Sequence, residues 1–310
     1  MHRVIIAPRG TVVDVGRSVV APHTSPVVAT WELALRLRDC RERRGIDVST
    51  ITRELGFTRN YWSAVENERK VLTVENLRKV IDLFGIGEDE GRRLLSLREA
   101  AKERGWWSDY SKLLNTEVQR MLGFEYGAQG VRDYESLLIP GLLQTPDYAR
   151  AVIEPAVVVR PDEIQQRVDI RMRRQARLGG DEPLRLTAVL SEAALRQRIG
   201  GAHVLRDQLE HLERLILERR KTISVRVVPF TAPACGLFGA PTVHLIDFDK
   251  PALPTLAWQE TVSTFSIISD EARVRDISRT YSDAREQALD EFETLELVRQ
   301  CARDLPAGRA

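Results

Sequence analysis

ITRELGFTRNYWSAVENERK, residues 51–70, decides the fold of the first third of this chain. Ile51 and Leu55 lie one helical turn apart on an inward face, and Gly56 follows where a tight turn needs a residue free to take positive φ. Thr58 then stands as the N-cap of a second helix, whose inward face carries Trp62 and Val65, with Phe57 just ahead. Arg59, Asn60, Ser63 and Ala64 are left pointing outward. Such types suit the major groove of DNA. Arginine offers two donors to guanine, asparagine pairs with an adenine edge, and alanine permits close approach or meets a thymine methyl. Base contacts are therefore expected from Arg59, Asn60, Ser63 and Ala64, and phosphate contacts from Thr58, Asn67, Arg69, Lys70 and Arg43.

Upstream, Leu33, Leu37 and Cys40 recur at steps of four and three, while Arg36, Arg38, Arg41, Arg43 and Arg44 populate the rest of that helix and Gly45 ends it. Asp47 is placed to cap the short helix that follows. Residues 31–86 thus read as a five-helix helix-turn-helix domain and 87–105 as a connecting helix. Residues 1–30 mix Val with Pro, Gly and Thr without a helical period and read as an extended or disordered leader.

Charge qualifies this reading. The chain has 46 basic and 45 acidic residues, a net of +1, so no whole-molecule field attracts nucleic acid. Residues 31–86 hold eleven basic against nine acidic residues, a net of +2. One copy would bind DNA weakly, and a homodimer that doubles the phosphate contacts is expected. Cys40, Cys235 and Cys301 are odd in number and far apart, which excludes a disulfide framework or a cysteine zinc site. No signal peptide and no apolar run of spanning length is visible, so a cytoplasmic protein away from membranes is expected.

After Gly105-Trp106-Trp107 short β-branched runs alternate with helical segments. Strands are expected over 131–138, 184–190, 223–228, 242–248 and 256–265, and helices over 109–128, 146–153, 163–178, 204–219 and 270–305. The result is a mixed α+β domain over 106–305. The chain lacks a nucleophile elbow, phosphate-binding loop or metalloprotease motif, so no catalytic residue and no cofactor are assigned. His203 and His211 share a helix face without a third ligand, and no metal is expected. Cys235 reads as a plain loop cysteine. Trp106, Trp107, Trp258, Phe230, Phe238 and Phe248 read first as core, with a ligand pocket as the alternative. Arg167, Arg171 and Arg174 share one face and are expected to meet acidic groups of a neighbouring element. Leu289, Phe292, Leu295 and Val298 are spaced to pack on the core or to form a dimer seam.

LRDCRERRG (37–45), the 51–70 stretch and LRKVIDLFG (77–85) together resemble the lambda-repressor-like helix-turn-helix domain of the XRE family. There are two departures. Asp47-Val48 replaces the Ser-Gln pair that opens the second helix in the family, and Glu68 replaces the glycine after Glu66-Asn67, placing a negative charge near the DNA backbone path. RGWWSDYSKLL (104–114), LLIPGLLQTPDYARAVI (137–153), SEAALRQRIGG (191–201) and VRVVPF (225–230) resemble the C-terminal domain of unknown function of actinobacterial XRE-type regulators. The resemblance implies a multidomain, non-enzymatic transcriptional regulator: an all-α helix-turn-helix domain binding double-stranded DNA, then a larger mixed α+β regulatory domain that receives a small-molecule or small-protein signal. The alternative it implies is an antitoxin-like adaptor whose main role is to hold a small partner protein.

Overall fold

The computed structural model describes residues 25–156, 159–250, 252–261 and 264–306. Most of the expected leader lies outside these residues, but its last five belong to a helix. Ser25 accepts a hydrogen bond from the Val28 amide, and Pro26 occupies the first helical position, where its missing N–H costs nothing, so α1 runs Pro26–Arg43. Behind it come α2 (Val48–Leu55), α3 (Arg59–Glu66), α4 (Val74–Leu83) and α5 (Glu88–Ala100). Leu33, Leu37, Ile51, Trp62, Val65, Leu77, Val80 and Phe84 form one buried core with Leu94, Leu97 and Ala100 of α5. The segment 87–105 is therefore largely the fifth helix of the bundle rather than a connector, because its apolar face completes this core.

The remainder is built on one mixed sheet of six strands among the described residues: β1 (Gly130–Glu135), β2 (Arg185–Ser191), β3 (Ile223–Val228), β4 (Thr242–Asp247), β5 (Leu256–Glu260) and β6 (Phe265–Ile268), in the order β3-β2-β1-β4-β5-β6. The β1–β2 and β2–β3 pairs are parallel and the other pairs antiparallel. Parallel neighbours need crossovers. α7 (Pro146–Ile153), α8 (Ile164–Arg174) and α9 (Glu192–Arg196) lie in the β1–β2 and β2–β3 connections, and α10 (Gly201–Glu218) completes the second. Leu186, Ala188, Leu190, Val225 and Val227 turn to one face, against Leu205, Leu209 and Leu212 of α10. Alternate residues such as Val189 and Val228 turn to the other.

Three boundaries differ from expectation. The helix expected over 109–128 starts only at Thr116, because Asn115 caps α6 (Thr116–Gly127) and Trp106–Tyr110 forms a 3-10 turn. The strand expected over 256–265 is the β5–β6 hairpin. The helix expected over 270–305 breaks into α11 (Glu271–Glu286) and α12 (Glu291–Arg303), the second opened by a reciprocal Asp290–Glu293 capping box. The break is needed because Val274 and Tyr281 of α11 pack on one face of the sheet and Leu295 and Val298 of α12 on the other.

α1 belongs to both domains. Its C-terminal half fills the helical core, while Val28 and Trp31 enter the core of the sheet domain, where the Trp31 ring lies 5.4 Å from Phe124 of α6 and 5.2 Å from Phe248. Between the two halves Glu32 is fully buried. Its carboxylate accepts hydrogen bonds from Arg36 (3.0 Å), from Arg93 of α5 (3.1 Å) and from Lys250 beyond β4 (2.6 Å). Burial alone would push this carboxyl up, but the Lys250 ammonium and then the Arg36 guanidinium outweigh it and hold it below the ordinary carboxylate value. A depressed folded pKa gives stability that is complete above the unfolded value of 4.5 and is lost as pH falls through the lower folded value. Glu32→Gln should therefore cost about 3 kcal/mol at pH 7 by leaving cations without their counter-charge. In urea melts of both proteins from pH 7 to pH 3, the gap should close on the acid side; a constant gap would refute the ionic origin.

Candidate nucleic-acid interface and the polar cluster behind it

The turn between α2 and α3 is set by Gly56, whose φ of 70° is left-handed, and by Thr58, whose hydroxyl accepts from the Tyr61 amide at 3.0 Å. Asp47 occupies the N-cap position of α2 but makes no side-chain cap hydrogen bond. Trp62 is fully buried against Phe84, with ring centroids 5.9 Å apart, and fixes the roll of α3. Arg59, Asn60 and Ser63 are left exposed on one side, with Ala64 half-buried beside them.

The far end of α3 is held from behind. Arg38 donates to the Glu66 carbonyl, and Arg41 Nε to the Glu66 carboxylate at 2.6 Å, placing cations at the negative end of the helix. Asn67 folds back, its Nδ2 donating to the Ser63 carbonyl at 2.7 Å and to the Ser63 hydroxyl at 3.2 Å. Many other bundle cations are spoken for: Arg43 by Asp39, Arg53 by Glu54 and Lys79 by Glu75. Arg59, Arg69 and Lys70 make no ion pair among the described residues, although Lys70 lies 4.6 Å over the Tyr61 ring. Arg59, at the start of α3, and Arg69 and Lys70, just after its end, are thus among the bundle cations that no carboxylate holds.

Glu68 is the one non-glycine residue with positive φ among those described, at 62°, and this explains why glycine suits the position. Its carboxylate does not lie free on the DNA side. Arg120 of α6 donates to it at 2.9 Å, so the expected exposed negative charge is neutralised by the sheet domain.

In that domain, Asp133 on β1 faces His244 on β4 in direct register, and Glu135 lies two residues on, on the same face. Asp133 is 1% exposed and Glu135 7%. Asp133 Oδ1 lies 3.0 Å from His244 Nδ1, although no aligned hydrogen bond reaches this oxygen. Thr242 donates to Glu135 Oε2 at 2.7 Å. Around these, Arg174 of α8 pairs in bidentate fashion with Glu125 of α6 (2.9 and 2.7 Å), and Arg171 donates to Gln144 Oε1 at 2.7 Å. Burial, and then the Asp133 charge, push the Glu135 carboxyl up. Burial alone would lower His244, but the Asp133 carboxylate beside it, with Glu135, pushes it up instead.

Residues 118–300 match the family model of a domain of unknown function, DUF5753, and residues 32–95 match that of a helix-turn-helix domain. The chain belongs to the DUF5753 family. No curated protein and no solved structure matches it. No helix among the described residues is long and apolar enough to cross a membrane.

In this DUF5753 protein Thr58, Arg59, Asn60, Ser63, Ala64, Asn67, Arg69 and Lys70 fall on or beside α3 because they are local in sequence, whereas Arg43 lies at the end of α1. The aromatic candidates do not form one pocket. Trp107 and Trp258 are buried in one cluster with Trp106 at its margin, Phe248 packs on Trp31, and Phe230 and Phe238 are exposed. The Arg face of α8 divides between Glu163, Gln144 and Glu125. His203 pairs with Asp207 at 3.5 Å, whereas Asp133, Glu135 and His244 converge. The sequence reading missed that convergence, since β1 and β4 are more than a hundred residues apart. The only local signal was the Asp-x-Glu alternation in a strand otherwise fit for burial.

The backbone at Glu68 reverses the usual order of substitutions. Glu68→Ala, which keeps the left-handed strain and loses Arg120, should lower stability by about 1 kcal/mol, and Glu68→Gly should recover about that amount. Equilibrium unfolding of the three proteins checks this; an alanine variant at least as stable as the glycine one would contradict it.

Proposed function

We propose that the protein is a sequence-specific DNA-binding transcriptional regulator, acting as a dimer, in which the DUF5753 domain receives a ligand or partner signal. The carrying observation is α3 itself. Its inner face is sealed by Trp62 and Val65, its end is braced by Arg38 and Arg41, and its outer face offers Arg59, Asn60 and Ser63 to solvent. A braced helix presenting unpaired arginine and asparagine is suited to reading base edges. Arg69 and Lys70 at its far end suit phosphates, as do Thr58 at its start and Arg43, paired with Asp39 but largely exposed, at the end of α1.

Support for regulation by the larger domain comes from its attachment to the bundle. The two share α1, and Arg120 of α6 grips Glu68 just beyond α3. A change in the sheet domain that moves α6 would therefore reach the end of the recognition helix. Dimerisation supplies the affinity that the small net charge of one bundle lacks.

The test is selection of bound duplexes from a random-sequence pool, followed by titration of the winning sequence at several salt concentrations. Arg59→Ala and Asn60→Ala should each cost about 1 to 3 kcal/mol, confined to particular base positions. Arg69→Ala and Lys70→Ala should weaken all sequences alike and each reduce the salt slope by about one. Failure to enrich any sequence, or binding indifferent to salt, would sink the reading.

A further inference from the structure

We propose that Asp133, Glu135 and His244 bind a divalent first-row transition-metal ion inside the DUF5753 domain. The site is built into the sheet. Register pairing sets His244 opposite Asp133, strand alternation brings Glu135 to the same face, and ligand atoms from all three lie within 4.8 Å of one another. Two ligands each about 2.1 Å from a common ion and at right angles to it lie about 3 Å apart. The Asp133 Oδ1 to His244 Nδ1 separation is 3.0 Å.

One further observation is consistent with an ion at this place. Asp133 Oδ1 is buried, and no aligned hydrogen bond reaches it despite that short distance. A carboxylate oxygen and a ring nitrogen at this separation can serve as adjacent ligands of one ion.

The donor set selects the class of metal. One imidazole nitrogen with two carboxylate oxygens suits borderline ions such as Mn²⁺, Fe²⁺, Co²⁺ or Zn²⁺, rather than the thiolate-seeking ions or an all-oxygen calcium site. The hydroxyl of Thr242 on Glu135 is the outer-shell hydrogen bond that orients such a ligand. Glu260, at the end of β5 and paired in register with Thr242, is exposed and marks the side from which an ion would enter.

The site also has a physical route to the DNA-binding helix. Arg174 ties α8, beside the cluster, to Glu125 of α6, and Arg120 on the same helix holds Glu68 after α3. An ion that draws Asp133, Glu135 and His244 together would change the charge that Arg171 and Arg174 experience. This consequence rests on the regulatory reading above, whereas the binding itself does not.

The test uses full-length protein without an affinity tag, stripped with chelator and titrated with Co²⁺ in the absence of DNA. One equivalent should be taken up with visible absorption bands, displaced by Zn²⁺, and the metal should raise the melting temperature. Glu135→Gln and His244→Gln should weaken uptake at least about tenfold, and Thr242→Val, which keeps both ligands and the side-chain volume, about tenfold. His203→Gln and His211→Gln should leave it unchanged. Lack of stoichiometric uptake by the wild type, or full affinity in the Glu135, His244 and Thr242 variants, would overturn the proposal. Should a ligand variant lose its native far-ultraviolet circular dichroism, the Thr242 variant decides. DNA binding with and without metal is measured separately, so loss of regulation and loss of the site are told apart.

Discussion

A buried carboxylate in the middle of one helix holds this molecule together as a unit. Glu32 has no solvent, so it needs cations, and the ones it finds come from three places: its own helix, the last helix of the DNA-binding bundle and the segment after β4 of the sheet domain. The same helix carries Trp31 into the sheet-domain core one residue earlier and Leu33 into the bundle core one residue later. A helix that contributes to two cores cannot change direction at the boundary without exposing one of them. The bundle is therefore fixed to the domain behind it, and not tethered by a linker.

α6 is the second tie. It presents Arg120 to Glu68, Phe124 to Trp31 and Glu125 to Arg174, so the end of the recognition helix, the shared helix and the polar cluster of the sheet all contact one rigid element. Coupling between sites needs an element with two arrangements that both sites can bias. The strained left-handed backbone at Glu68 and its ion pair place a small local adjustment where such an element ends.

Legibility followed distance along the chain. Gly56, the Thr58 cap and the inward Trp62 act within a few residues of one another, and the helix-turn-helix emerged from them, with Arg59, Asn60 and Ser63 exposed and Ala64 half-buried. The Ser25 cap and Pro26 were equally local signals, but an otherwise irregular leader masked them. The reading of 87–105 as a connector failed because only the bundle shows which face of α5 is covered. The break between α11 and α12 was hidden in the same way: both segments favour helix, and the change of sheet face forces the stop.

By itself the sequence determined the helices, their caps, the glycine turn and the class of residue offered to DNA, since each depends on the backbone preferences and periodicity of neighbouring residues. Only the tertiary structure decided which charges are free and which are spent. It gave Glu68 a partner in Arg120, matched Arg174 to Glu125, buried Glu32 among three cations, and set Asp133 and Glu135 beside His244. The electrostatic state of a side chain depends on what packing brings within a few ångströms of it. Strand register and helix docking fix those neighbours, and both couple residues that the sequence keeps far apart.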